Sequence, residues 1–447
     1  MRKRTVKILK IIAIVIIALS LIYAFAVVIS SVKLRKAYTN LEKAGRPMEA
    51  KDVIPPDTPD AENAALLYES AILLLKAQPA PNRNLLEYLG TLSGKFTKES
   101  IEPDELAELK QLIDQDVVTQ ALSIIEQGAQ RHSCRFEHDY NAGFNMLMPN
   151  LGGFRNIIRI LEAKSCLEAE AGRPDAAWNL VQTQLRFADS LRNEPILISM
   201  LIRITSIKIS CETMWRICEN VPPNAEQCRT IENMLLDYED RTPLILALDG
   251  ERLLCGEWAF NLLKHGSFKE LTSSTGSELG FGEVLLGLYS AFKPLSLADH
   301  AAYVRIMGDY TRLVQQPHSP NETAALMRQV EESRSRLYVI TNILEPAVPR
   351  VIELYSELLT QMRITRAGLA LLQEKKAHGV FPDTLEKLKM KNLDDPFSKE
   401  LLRYKPQEQG FILYSIGPDE KDNGGSPKQK KQKDNWDIVW SYTGSMK

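Results

Sequence analysis

Residues 151–191 read LGGFRNIIRILEAKSCLEAEAGRPDAAWNLVQTQLRFADSL, and this stretch sets the architectural class. Ile157, Ile158, Leu161, Ala163 and Leu167 recur at helical spacing, and so do Ala176, Ala177, Leu180, Val181, Leu185 and Ala188. Between the two stripes stands Gly172-Arg173-Pro174-Asp175. Glycine takes the backbone conformation that ends a helix, and proline fits in the first turn of the next one. The expectation is a helical hairpin, with the small Ala176-Ala177 pair letting the two helices approach closely.

Working outward, the same period continues in both directions. Toward the N-terminus, Asp60 is expected to cap a helix running to Leu75, and Pro103 to open one carrying Leu106, Leu109, Leu112, Ile113, Val117, Ala121, Leu122 and Ile125. Toward the C-terminus, helices are expected over Ile196–Glu219, Ala225–Tyr238, Leu244–Lys264 and Ala347–Lys376, with another capped at Asn321. Residues 266–282, rich in Ser, Thr and Gly, read as a loop, and Pro317-His318-Ser319-Pro320 as a break. The fold class is mainly α: an all-α helical-hairpin body with a single N-terminal transmembrane helix and a small α+β module at the C-terminus.

Ile11–Ile29 is nineteen residues without a charge, and Ser20 and Tyr23 are its polar interruptions. A helix rising about 1.5 Å per residue needs ~20 apolar residues to cross the hydrocarbon layer, so this run is long enough to span and to face membrane lipid. Five basic residues precede it (Arg2, Lys3, Arg4, Lys7, Lys10) and three follow (Lys33, Arg35, Lys36). The positive-inside bias therefore puts the N-terminus in the cytoplasm and the body in the periplasm of a bacterial inner-membrane protein. Ala24-Phe25-Ala26 also has the form read by signal peptidase, so cleavage after Ala26 competes with an uncleaved anchor, although Val27, Val28 and Ile29 extend the run beyond a typical signal core. Ala37–Ala44 reads as an amphipathic stalk that stops at Gly45-Arg46-Pro47, followed by a Pro- and Asp-rich link over 53–60.

These features divide the 447 residues into 1–36, basic tail and anchor; 37–62, stalk and linker; 63–346, helical body; and 347–447, a long helix with a β module. The net charge of −2 hides an asymmetry: residues 1–36 carry eight basic residues and no acid, which leaves the remainder at about −10 and argues against a nucleic-acid partner. The six cysteines, Cys134, Cys166, Cys211, Cys218, Cys228 and Cys255, form no C-x-x-C. They read as small buried hydrophobes, with pairing open in an oxidising compartment.

Past residue 378 the character changes. Gly379-Val380-Phe381-Pro382-Asp383 leads to Asp395-Pro396-Phe397-Ser398, and then to two strand patterns, Leu401–Tyr404 and Gly410–Ser415, around the turn Lys405–Gln409. Ser415-Ile416-Gly417-Pro418-Asp419, a polar loop with Asp422-Asn423-Gly424-Gly425, and a closing Asp434-Asn435-Trp436-Asp437-Ile438-Val439-Trp440 complete the series. The ordered run over about 363–440 resembles the C-terminal half of the major pseudopilin of type II secretion systems. The N-terminal helix departs from that family: it has no Glu, no Gly-Phe processing site, and lies more than 300 residues from the module. The layout as a whole resembles membrane-anchored helical proteins of planctomycete-type bacteria, a likeness that implies location and architecture, not chemistry. The helical hairpin resembles a tetratricopeptide unit, without a second copy at a fixed period.

The pseudopilin resemblance implies calcium in the loop after Gly-Pro-Asp. Asp419, Asp422, Asn423, Asp434 and Asp437 are the oxygen donors available for a cation that takes six to eight oxygens at about 2.3–2.6 Å. A plain Asp/Gly surface turn is the alternative, and Lys428-Gln429-Lys430-Lys431-Gln432-Lys433 adds four positive charges beside it.

Other constellations are weaker. His132, Cys134, His138 and Asp139 match no zinc spacing and read as a polar loop. Gly90-x-x-x-Gly94-Lys95 is one residue short of a phosphate loop and is followed by Phe96, not Ser or Thr. Asp249, Glu251 and Glu257 share a helical stretch, but six residues separate the two glutamates and set them on different faces. Glu168 and Glu170 read as helix-surface acids. Two function classes follow: a membrane-tethered interaction scaffold with protein partners, or a cell-envelope hydrolase whose site is assembled only in three dimensions.

Overall fold

The computed structural model describes residues 2–146, 151–266, 281–315, 320–332, 334–428 and 435–444. The chain is mainly helical, with a three-stranded antiparallel sheet near the C-terminus. The Ser/Thr/Gly stretch at 267–280 and residues 317–319 of the proline break lie outside the described residues.

The first helix, α1 (Arg2–Lys43), runs 42 residues without interruption. It is long and apolar enough to cross a membrane. Ile11, Ile14, Ile17, Leu21, Ile22 and Phe25 are all exposed, on every side of the helix. Below Phe25 the pattern becomes one-sided: Ser30, Ala37 and Leu41 are buried, and Ala26, Val27, Leu34 and Tyr38 are half-buried, at helical spacing. That stripe lies along α13 (Lys293–Gln315). Ala37 and Leu41 close over Val304, and Gly308 leaves room for the Leu41 side chain.

The segment read as a stalk and linker is therefore corrected: it packs into the body. The reason is its contact set, which no local pattern reveals. Arg46 pairs with buried Asp249, Val53 is buried against Ile196 and Leu253, and the Pro55 carbonyl accepts from Arg135 at 3.1 Å.

The body opens with α2 (Ala64–Lys76), whose cap is Asn63 in place of the expected Asp60. The Asn63 side chain accepts from the Ala65 amide at 3.1 Å and donates to the Arg135 carbonyl at 2.8 Å, so a tertiary partner selects the capping residue. After α3 (Leu85–Phe96), the helix expected over 103–125 is two, α4 (Pro103–Ile113) and α5 (Asp116–Ala129). Asp114 at the break is paired to Lys164 at 2.6 Å, and the bend lets α5 lie on α2.

The hairpin at the centre is α6 (Leu151–Glu170) and α7 (Pro174–Asp189), with Gly172 at φ +70 between them. Ser165 donates to the Ala177 carbonyl at 2.9 Å, and Phe154 stacks on Phe187 at 3.9 Å between centroids. Glu168, read as a surface acid, is buried beneath Lys164 and Arg173, because the hairpin turn folds Arg173 back over it.

Next come α8 (Leu197–Cys218), α9 (Ala225–Tyr238) and α10 (Thr242–Gly250). The helix then widens into a π-helical turn, Glu251–Gly256, and resumes as α11 (Glu257–His265). Helix α12 (Phe281–Ala291) and α13 form a corner at Phe292, followed by α14 (Pro320–Glu332) and α15 (Val339–Leu344). Buried Asp299 on α13 caps α15 by accepting from the Ile340 and Thr341 amides at 2.9 and 3.1 Å.

The long helix α16 (Ala347–His378) is buried along most of its length and ends at Gly379, φ +79. Strands β3 (Arg403–Pro406), β4 (Phe411–Ser415) and β5 (Ile438–Tyr442) pair antiparallel in that order, with Leu413 opposite Trp440; a two-residue hairpin, β1 (Pro79–Ala80) and β2 (Arg83–Asn84), precedes them in the chain. The Trp440 indole fills the notch at Gly368 of α16 and stacks on Trp215 of α8, 5.7 Å between centroids. Glu239 accepts from Arg363 and Arg366 of α16, so one core runs from the body through the sheet.

Candidate functional site at the junction of α1 and the body

Where α1 meets the body, the geometry begins with two glycines. Gly250 lies against the Pro195 carbonyl and Gly256 against the Tyr303 ring, approaches that a Cβ would block. They bracket the π-helical turn, a distortion that recurs at functional sites. Three acids leave this region for three different partners. Asp249, buried, holds Arg46 and stands 3.5 Å from Arg252, and Arg252 donates to the Pro47 carbonyl at 2.5 Å. Burial and the neighbouring Arg252 charge both lower the Arg46 pKa. Glu251 accepts from the Leu197 amide at 3.4 Å, and burial raises its pKa.

Glu257 is the third. Its Oε1 accepts from Tyr38 of α1 at 2.7 Å, and its Oε2 lies 2.9 Å from His300 Nε2. The same nitrogen is 3.1 Å from the Tyr38 hydroxyl, and the imidazole stacks on Phe260 at 4.1 Å between centroids. Burial pushes the Glu257 carboxyl up, but hydrogen bonds from His300 and Tyr38, with the His300 and Arg252 charges, outweigh it and hold the pKa below the usual range.

Glu257, Phe260 and His300 of this cluster stand in one wall of a cleft of about 1120 Å³ between α1, α11 and the α12–α13 corner. Small-molecule sites span ~300–1000 Å³, so the cleft is large for a metabolite. Leu253, Leu254, Trp258 and Leu297 make it predominantly apolar, and Lys264 and Lys293 bring positive charge. Of these, Glu257 was visible as a residue of interest. Tyr38 and His300 were not, since neither belongs to a motif within its own helix. The α13 stripe Tyr303, Val304, Ile306, Met307 and Tyr310 was the available signal for His300's helix.

The other sequence candidates disperse. The His138 side chain is buried and pairs with Glu194 at 3.1 Å; Asp139 accepts from the Asn141 amide at 3.1 Å; and Cys134, whose thiol burial pushes up, hydrogen-bonds Ser190, with Glu194 close enough to raise its pKa further. Gly90 and Gly94 sit inside α3, and Lys95 pairs with Glu105. All six cysteines are free thiols, and burial pushes Cys166 up to about 11 and Cys211 and Cys228 up to about 12, which keeps them protonated and unreactive.

Of the calcium candidates, Asp434 lies outside the described residues. Asp422 turns to Arg403 and Tyr414, each at 3.1 Å. Asp419 Oδ2, the Lys421 carbonyl and Asp437 Oδ1 converge on the Asn423 side-chain amide nitrogen, Nδ2, at 3.3, 2.9 and 3.4 Å. Asp437 also accepts from the Gly425 and Ser426 amides at 2.7 and 3.1 Å. Among the described residues, no group of three or more His, Cys, Asp or Glu stands together as a metal set.

Comparison with family models, with curated proteins and with solved structures finds no match for this chain.

Proposed function

We propose that the protein is a single-pass scaffold of a bacterial inner membrane, N-terminus in the cytoplasm, its helical body held against the periplasmic face to present surfaces to protein partners. The observation that carries this reading is the docking of α1 along α13, sealed by the Ser30 hydroxyl donating to the Pro294 carbonyl at 2.8 Å in a buried contact. A body fixed to its anchor cannot swing on a tether, so its surfaces stand at a defined height above the lipid. Leu66 and Leu73, seven positions apart on α2, are both exposed, with Glu69 and Ser70 between them, and give a partner two apolar points of contact. The anchor stays uncleaved in this reading, since Tyr23, which packs on Phe292, precedes Ala26.

An alkaline phosphatase fused after Lys447 is expected to be active. An inactive fusion, with a cytoplasmic reporter active at the same position, overturns the orientation. Photocrosslinkers placed at Leu66 and Leu73 are expected to give discrete protein adducts in cells; adducts to lipid alone, or none, overturn the scaffold role.

The hydrolase reading is favoured by one observation, the Glu257–His300 pair facing the cleft, where an imidazole held by a carboxylate would serve as general base. Lipid-ester turnover abolished by His300→Ala would establish it.

In the C-terminal module, Asp419, Asp437 and the Lys421 carbonyl are the groups that would hold a calcium ion in place of the Asn423 amide, in a structural role. The convergence of three oxygens on one point supports that assignment.

A further inference from the structure

The Phe292 ring stands edge-on against Tyr23, 5.8 Å between centroids. Tyr23 lies six residues inside the apolar run that ends at Ile29, which at 1.5 Å per residue is about 9 Å below the end of that run. When Ile11–Ile29 spans a bilayer, the α12–α13 corner is therefore drawn down to the hydrocarbon edge. The corner is built for that depth. Leu288 is 65% exposed and Phe292 53%, with Lys293 directly after them. An apolar pair backed by a cation suits the boundary between acyl chains and headgroups.

The cleft reaches the same level. Val27 and Ser31, which line it, straddle Ile29, the end of the apolar run. When α1 spans a bilayer, that part of its lining therefore lies at the hydrocarbon edge. Its charge is also defined: Lys264 and Lys293 are exposed and form no ion pair with another described residue, while the carboxylate lining it, Glu257, is engaged by Tyr38 and His300.

We propose that this cleft takes a phospholipid with an anionic headgroup from the adjoining leaflet, an acyl chain lying along Leu254, Trp258 and Leu297 and the phosphate at Lys264 and Lys293. The inference rests on α1 crossing a bilayer, as in the reading above, and not on the protein partners.

Trp258 provides the readout. The other four tryptophans stand elsewhere: Trp178 is fully buried in the hairpin, Trp215 and Trp440 stack on each other, and Trp436 lies under Lys428. The full-length protein is reconstituted in phosphatidylglycerol vesicles whose acyl chains carry bromine, a contact quencher of indole fluorescence. Quenching is expected to be at least twofold stronger in the parent protein than in Trp258→Phe. The double variant Lys264→Glu, Lys293→Glu changes only exposed side chains. It is expected to lose the preference for brominated phosphatidylglycerol over brominated phosphatidylcholine, by about fivefold per lysine. Flotation with the vesicles, read on the same samples, reports the anchor. Protein that floats but shows no Trp258-dependent quenching overturns the lipid cleft alone; equal quenching by both lipids overturns the anionic headgroup; protein that does not float overturns the membrane reading itself.

Discussion

The Tyr38 hydroxyl, on the long apolar helix α1, donates to Glu257 at 2.7 Å across 219 positions of sequence. This contact joins α1 to the wall of the cleft, and His300 completes the triangle. Tyr38→Phe removes the donor and leaves the half-buried carboxylate with one fewer partner. A loss of about 1–2 kcal/mol is expected in urea unfolding of the detergent-solubilised protein. No change would mean that the docking depends on Ala37, Leu41 and Ser30 alone.

The same carboxylate predicts an acid limb. Because the folded protein holds Glu257 below the usual range, the unfolded chain binds more protons as pH falls past about 4.3, and stability drops with it. The contribution is fully present above that pH and is lost on acidification through the depressed folded value. Glu257→Gln is expected to flatten this part of a stability-against-pH curve; an unaltered limb would assign it to other acids.

Glu162 predicts the opposite slope. Burial raises its pKa to about 7, against the pull of Arg216 3.2 Å away. Between about pH 4.3 and 7 the folded state holds the proton more tightly than the unfolded chain, so this group's contribution falls as pH rises. Glu162→Gln is expected to remove that decline, read as melting temperature from pH 5 to 8. A decline that persists would place its origin elsewhere.

Asp249 is the counter-charge for half-buried Arg46 and lies 3.5 Å from Arg252, and Asp249 and Arg252 are both shut off from water. Asp249→Ala leaves two cations there unpaired, and a loss of roughly 3–5 kcal/mol is expected. The segment after α1 should loosen first, so trypsin should cut after Lys51 well before it cuts the body. Uniform digestion would contradict this clamp.

Gly250→Ala tests the π-helical turn. In an ordinary helix the change gains ~1 kcal/mol, but here the new Cβ meets the Pro195 carbonyl, a backbone atom that cannot step aside. The expected sign is reversed, a loss of about 1–3 kcal/mol. A stabilised variant would show that α10 and the Pro195 loop part easily.

Calcium at the C-terminal loop predicts a chelator effect on the full chain. With free calcium a hundredfold above its dissociation constant, the ion contributes roughly 2.7 kcal/mol, so chelation is expected to lower the melting temperature and Asp419→Ala to abolish the sensitivity. An identical melting curve with and without chelator leaves the Asn423 amide as the centre of the loop.

The sequence by itself determined the elements whose cause is local. A nineteen-residue uncharged run can only be a helix seeking lipid or a core. Gly172-Arg173-Pro174 can only interrupt a helix, and Gly379 ends one. Alternation around Phe411–Ser415 marks a strand with Phe411 and Leu413 inward. What the tertiary structure decided was every feature that needs two distant residues at once. Asn63 caps α2 in place of Asp60 because Arg135 reaches it; Glu168 is buried because Arg173 folds over it; and the apparent stalk is packed because Asp249 waits for Arg46. The cleft follows the same rule: Tyr38, Glu257 and His300 are unremarkable in their own helices. Their chemistry exists only because Gly250 and Gly256 let α10, the π turn and α11 close onto α1 and α13. Periodicity reports which face of a helix is apolar, but the free energy of packing selects what that face meets.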